Sequence, residues 1–122
     1  MKRRLRLLSA SLTLFLAVSS APPAVAIDEI ERQWLVGSSA FADGLHPLAR
    51  RVLERFVAEH PDDRRAPEAF LMLGKVRLNV GDADAALEAF RLAQTFTPVP
   101  GSPMELKLWE AEALLRLKRF AE

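Results

Sequence analysis

The chain has 122 residues, half of them hydrophobic, with 17 lysines and arginines, 16 aspartates and glutamates, and no cysteine. The lack of cysteine excludes disulfides, zinc fingers, iron–sulfur centres and thiol chemistry. All of the basic excess lies in residues 1–26, with four basic and no acidic side chains; the rest carries 13 against 16, net −3, which indicates no nucleic-acid-binding surface.

Lys2, Arg3, Arg4 and Arg6 lead into an apolar run from Leu7 to Val18, followed by Pro22-Pro23 and the small triplet Ala24-Val25-Ala26. That order predicts a secretory signal peptide over residues 1–26, cleaved after Ala26. The competing reading, an uncleaved membrane anchor, is opposed by the shortness of the strongly apolar part and by the two prolines. Without cysteine there is no lipid anchor either.

From Asp28 onward the apolar residues recur at helical spacing, with glycine and proline between the runs. A first helix is expected over 29–42, with Trp34, Leu35, Ser38 and Phe41 near one face, ended by Asp43-Gly44. Pro47 starts the second helix, whose stripe is Leu48, Val52, Leu53, Phe56 and Val57, and His60-Pro61 ends it. Pro67 opens the third, carrying Phe70, Leu71, Leu73 and Val76. Gly81 turns the chain and Asp82 caps the fourth, with Ala86, Leu87, Phe90 and Ala93 inward. After the breakers Thr97 to Gly101, Ser102-Pro103-Met104-Glu105 combines a capping box with proline at the first helical position. Leu106, Trp109, Ala113, Leu114 and Leu117 continue that fifth helix.

The helices fall into units. Residues 30–66 align on 67–103 and then on 104–122 at a period of 37: Gly37 falls on Gly74 and Ala111, Gly44 on Gly81, Ala49 on Ala86, and Pro61 on Pro98. A repeat of that length, built of two short helices, is the mark of an α-solenoid, where each unit buries its apolar face against a neighbour. The expected fold is therefore all-α, a solenoid of antiparallel helix pairs with about two and a half units. Leu114 and Leu117 are expected to face outward at its end.

Catalytic constellations are scarce. His46 and His60 fall at opposite ends of one helix, roughly 20 Å apart, too far to share a metal. Gly37-Ser38-Ser39-Ala40 lacks the second glycine and the strand-to-helix setting of a hydrolase nucleophile. Asp82 and Asp84 lack the glycine and distal glutamate of a calcium loop and are read as caps. The basic pairs Arg50-Arg51 and Arg64-Arg65 are read as solvated faces, and Trp34 and Trp109 as seam fillers ahead of partner anchors. No enzyme activity and no cofactor are expected.

Phe70, Leu73-Gly74, Gly81-Asp82, Ala86, Phe90, Ala93 and Pro98 stand at the spacing of a tetratricopeptide repeat (TPR), and the middle unit resembles that family. Arg77 departs from it, standing where a large side chain such as tyrosine is usual. Phe56 to Pro61 followed by Ala66-Pro67-Glu68-Ala69 is similar to an exported bacterial subgroup, the BamD-like outer-membrane assembly lipoproteins and the YbgF-like periplasmic proteins of the Tol–Pal system. The resemblance implies a non-catalytic periplasmic scaffold that binds protein partners of the cell envelope on the concave surface lined by the first helix of each pair. Gln33, Ser38, Lys75, Arg77, Asn79 and Lys107 are the polar contacts it implies there. The alternative is a spacer or multimerisation arm at the N-terminus of a longer envelope protein, the third pair, 104–122, being incomplete with Phe120-Ala121-Glu122 as the start of its second helix.

Overall fold

Asp28 accepts a hydrogen bond from the Ile30 amide at 3.4 Å and so starts the first of five helices. In the computed structural model, which describes residues 27–121, these are α1 (Glu29–Ala42), α2 (His46–Glu59), α3 (Ala66–Asn79), α4 (Ala83–Gln94) and α5 (Pro103–Ala121). There is no strand among the described residues, and the protein is all-helical there. The expected leader and its cleavage point lie outside the described residues.

Proline occupies the first turn of α2 and of α3, where its missing N–H costs nothing. Gly44 and Gly81 end α1 and α3 with φ of 73° and 85°, backbone angles that a side chain would strain. Asp82 caps α4, accepting from the Ala85 amide at 3.2 Å. The capping box at α5 is only half formed. Ser102 Oγ accepts from the Glu105 amide at 3.1 Å, but the Glu105 carboxylate reaches across to Lys75 instead of back to Ser102.

Each helix packs on the next, α1 also touches α3, and α3 touches α5. The connections between helices are short, which folds each one back along its predecessor. Two apolar clusters result. Ala40, Ala49, Leu53, Phe56, Ala69, Leu73 and Val76 join α1, α2 and one side of α3, with Trp34 against them. Leu71, Leu78, Ala86, Leu87, Phe90, Ala93, Leu106 and Ala113 join its other side to α4 and α5, with Trp109 and Leu117 against them.

The closest approaches recur at the period of the sequence. A side-chain carbon built on Gly37 would meet Leu53 Cδ2 at 3.0 Å, and one on Gly74 would meet the Phe90 ring at 2.4 Å. Leu53 and Phe90 are themselves 37 apart. The space left by Gly74 is filled by Phe90. Ala86 is wholly buried. Ala86→Leu is expected to cost about 1–3 kcal/mol through overpacking, measured as a lower melting temperature.

Three expectations are corrected. The inward face of α1 is Gln33, Gly37 and Ala40 with Trp34 beside them, while Leu35 is exposed. The close approach of Gly37 to α2 sets that rotation. Leu117 packs on the core although Leu114 is exposed. Finally, α5 runs unbroken through Ala121, so no second helix begins at Phe120. Lys118 and Arg119 stand where Gly81 and Asp82 stand one unit earlier, and neither supplies a left-handed turn or a cap.

Candidate functional site

Of the first helices, α3 touches both α1 and α5, and the three carry all six side chains expected to meet a partner. Two of the six are exposed, Asn79 and Lys107, although Asn79 Nδ2 donates to the Lys75 carbonyl at 3.4 Å. Gln33 is buried, donating through Nε2 to Glu59 of α2 at 2.9 Å and to Glu29 at 3.3 Å, so its assignment as a surface contact is corrected. Ser38 gives its hydroxyl proton to the Trp34 carbonyl at 2.7 Å, a local bond within the helix.

Lys75 and Arg77 act inside the fold. Lys75 Nζ donates to Glu105 Oε1 at 2.7 Å and lies 5.3 Å from the centre of the Trp109 ring, tying α3 to α5. Arg77 donates through Nη1 to the Ala85 carbonyl at 2.9 Å and lies 3.6 Å from Glu54, which joins α2, α3 and α4. The arginine that departs from the repeat pattern thus bridges helices, a task that a tyrosine at the same position could not perform with charge. Phe90 stacks on Trp109 at 6.2 Å and Trp34 tilts on Phe56 at 5.7 Å, so both tryptophans fill seams.

One structural centre was not visible in the sequence. Arg65, read as solvated, is mostly buried; its Nε donates to Asp63 at 2.9 Å and it also pairs with Glu31 of α1. Its guanidinium lies 5.8 Å from the Trp34 ring and 5.9 Å from Phe56. The only local signal was Asp63 two residues earlier; Glu31 is 34 residues away.

Two of these ion pairs predict a pH response. The Lys75 ammonium holds the Glu105 carboxyl below its ordinary range, and Arg65 does the same to Asp63. A carboxylate whose pKa falls on folding adds stability at neutral pH that is lost as pH drops through its folded value. The melting temperature is therefore expected to hold down to about pH 5 and to fall below about pH 4, near the ordinary carboxylate values. Glu105→Gln should melt lower than wild type at neutral pH, and the gap should close in acid. A gap of constant size in a pH series of thermal melts would exclude the carboxylate charge as its cause.

His46 and His60 flank α2, and among the described residues no three histidines, aspartates or glutamates are grouped to hold a metal. A groove of about 540 Å³ lies at the loop end between Pro61–Glu68 and Phe96–Pro100, lined by four prolines and Phe96. Its polar lining is Asp62, Asp63, Arg64, Glu68 and Thr97. No helix among the described residues is long and apolar enough to cross a membrane. Comparison with family models, curated proteins and solved structures gives no match to the chain.

Proposed function

We propose that the chain is a TPR-like scaffold, exported to the bacterial cell envelope, that binds protein partners and has no catalytic role. The observation that carries the reading is the twice-repeated packing of glycine on a bulky residue, Gly37 on Leu53 and Gly74 on Phe90, at a spacing of 37. Such units stack into extended surfaces used for recognition. The recognition face is narrower than the six residues first expected and centres on Asn79 and Lys107, with Lys75 and Arg77 holding the helices in place. A photo-crosslinking residue at position 79 or 107 should give a discrete protein adduct in cells, and one at Glu88, exposed on α4, should not. Equal labelling at all three would overturn the assignment of the face.

The second reading, a multimerisation arm or spacer in a longer envelope protein, is favoured by a different observation. Met104, Leu108, Leu114 and Leu115 of α5 are exposed together on the last helix.

A further inference from the structure

Glu31, Glu68 and Glu105 stand one repeat apart, each in the first turn of its helix, on α1, α3 and α5. Two of them meet a cation: Glu31 pairs with Arg65, and Glu105 with Lys75. Glu68 is exposed and has neither an ion pair nor a side-chain hydrogen bond among the described residues. The repeat explains the difference. The residue that stands to Glu68 as Arg65 stands to Glu31 is Ser102, whose short hydroxyl is engaged with the Glu105 amide at 3.1 Å. Glu68 instead lines the groove of about 540 Å³ at the loop end, together with Asp62, which is also exposed and has no ion pair among the described residues. Asp63, the third carboxylate of the lining, is held by Arg65. Both walls are internal to the chain, one between α2 and α3 and the other between α4 and α5.

We infer that this groove binds an extended, proline-containing segment of a protein partner and takes one arginine of that segment on Glu68 and Asp62. The molecule holds the template one unit earlier. There Arg65 pairs with Glu31 of α1 and with Asp63 of the loop, its guanidinium 5.8 Å from the centre of the Trp34 ring and 5.9 Å from that of Phe56. The groove offers the same elements in Glu68, Asp62 and the Phe96 ring, which Phe70 supports at 5.8 Å. A guanidinium suits them better than an ammonium, because its planar fork can meet two carboxylates and lie on a ring at once. The four prolines of the lining fix their own backbone angles, so the apolar walls are formed before a ligand arrives. A ligand in the polyproline conformation is ordered in advance too, and it lays its rings on walls of this kind. Arg64, exposed in the same lining, opposes a second cation, so the segment carries one arginine in an otherwise uncharged stretch. The inference rests on the loop residues and not on the face around Asn79 and Lys107.

The test titrates the isotope-labelled full chain with the capped peptide Pro-Pro-Arg-Pro-Pro and with its citrulline counterpart, which keeps the shape of arginine and removes the charge. Saturable shifts are expected in the amide signals of Asp62, Glu68 and Thr97. Binding should be at least about tenfold weaker for the citrulline peptide, and weaker by as much for the arginine peptide on the Asp62→Asn, Glu68→Gln chain. Both substitutions fall on exposed positions, and an unchanged circular dichroism spectrum verifies the fold. The citrulline comparison uses the unaltered chain and so stands without them. Absence of shifts, shifts confined to other residues, or equal affinity for the two peptides would overturn the inference. Capped arginine alone, bound as tightly as the whole peptide, would also overturn it by showing a site for a lone cation. None of these outcomes alters the adducts expected at positions 79 and 107, so the two proposals fail separately.

Discussion

Phe90→Ala is expected to destabilise the fold by about 3–5 kcal/mol, the range for removing a wholly buried phenylalanine, and to lower the melting temperature by roughly 15 °C or more for a chain of this size. Phe90 has no exposed surface, fills the space above Gly74 and stacks on Trp109, so its loss opens a cavity touching three helices. The partner substitution should destabilise by overfilling the same space. Gly74→Ala inserts a carbon 2.4 Å from the ring and must displace it, costing about 1–3 kcal/mol. The first unit shows what relieves that clash, because Leu53 lies 3.0 Å from the same point above Gly37. Gly74→Ala should therefore cost less in a Phe90→Leu background, with a coupling of about 0.5–3 kcal/mol in a double-mutant cycle. Strictly additive effects would mean that residues 74 and 90 do not touch.

The second large effect is expected at Arg65. Its side chain is 17% exposed, as is that of Asp63. Arg65→Ala removes the partner of two carboxylates and the cation beside two aromatic rings, and separates α1 from the start of α3. Breaking a buried pair typically costs about 3–5 kcal/mol; Glu31 is 43% exposed and retains hydration, which lowers the expectation to about 2–3 kcal/mol. Arg65→Lys should recover less than half of this, because an ammonium can neither bridge both carboxylates nor lie flat over a ring. Arg64→Ala, on an exposed neighbour, should change stability by no more than about 0.5 kcal/mol in the same urea titrations.

The helix ends were largely legible in the sequence because they depend on local chemistry. Pro47, Pro67 and Pro103 mark starts, Gly44 and Gly81 mark stops, and Asp82 and Ser102 cap, each acting within four residues. The end of α5 was misjudged for the same kind of reason: periodicity alone placed a turn where Lys118 and Arg119 give the chain no means to make one. Faces were read less well than ends. Leu35 has the hydrophobicity of an inward residue, but Gly37 allows α2 so close that the helix turns Gln33 and Ala40 inward and leaves Leu35 outside. The candidate contacts were read least well. A lysine on a first helix or an arginine just before one looks free in a sequence, yet Lys75 meets Glu105 and Arg65 meets Glu31, partners 30 and 34 residues away. Only the stacking of units brings such pairs together, and no local pattern encodes which distant carboxylate a cation will reach.

The central claim is that two helix pairs repeat one packing at a spacing of 37 and that a third first-helix stands with its covering face open. Nuclear Overhauser contacts in solution test it most directly. The account predicts contacts from the Gly37 α-protons to the Leu53 methyls and from the Gly74 α-protons to the Phe90 ring, with the Gly74 signals shifted by that ring, and none from Ala111 to α1, α2, α3 or α4. Contacts from Gly37 or Gly74 to other side chains, or an Ala111 methyl packed against α2 or α4, would contradict it.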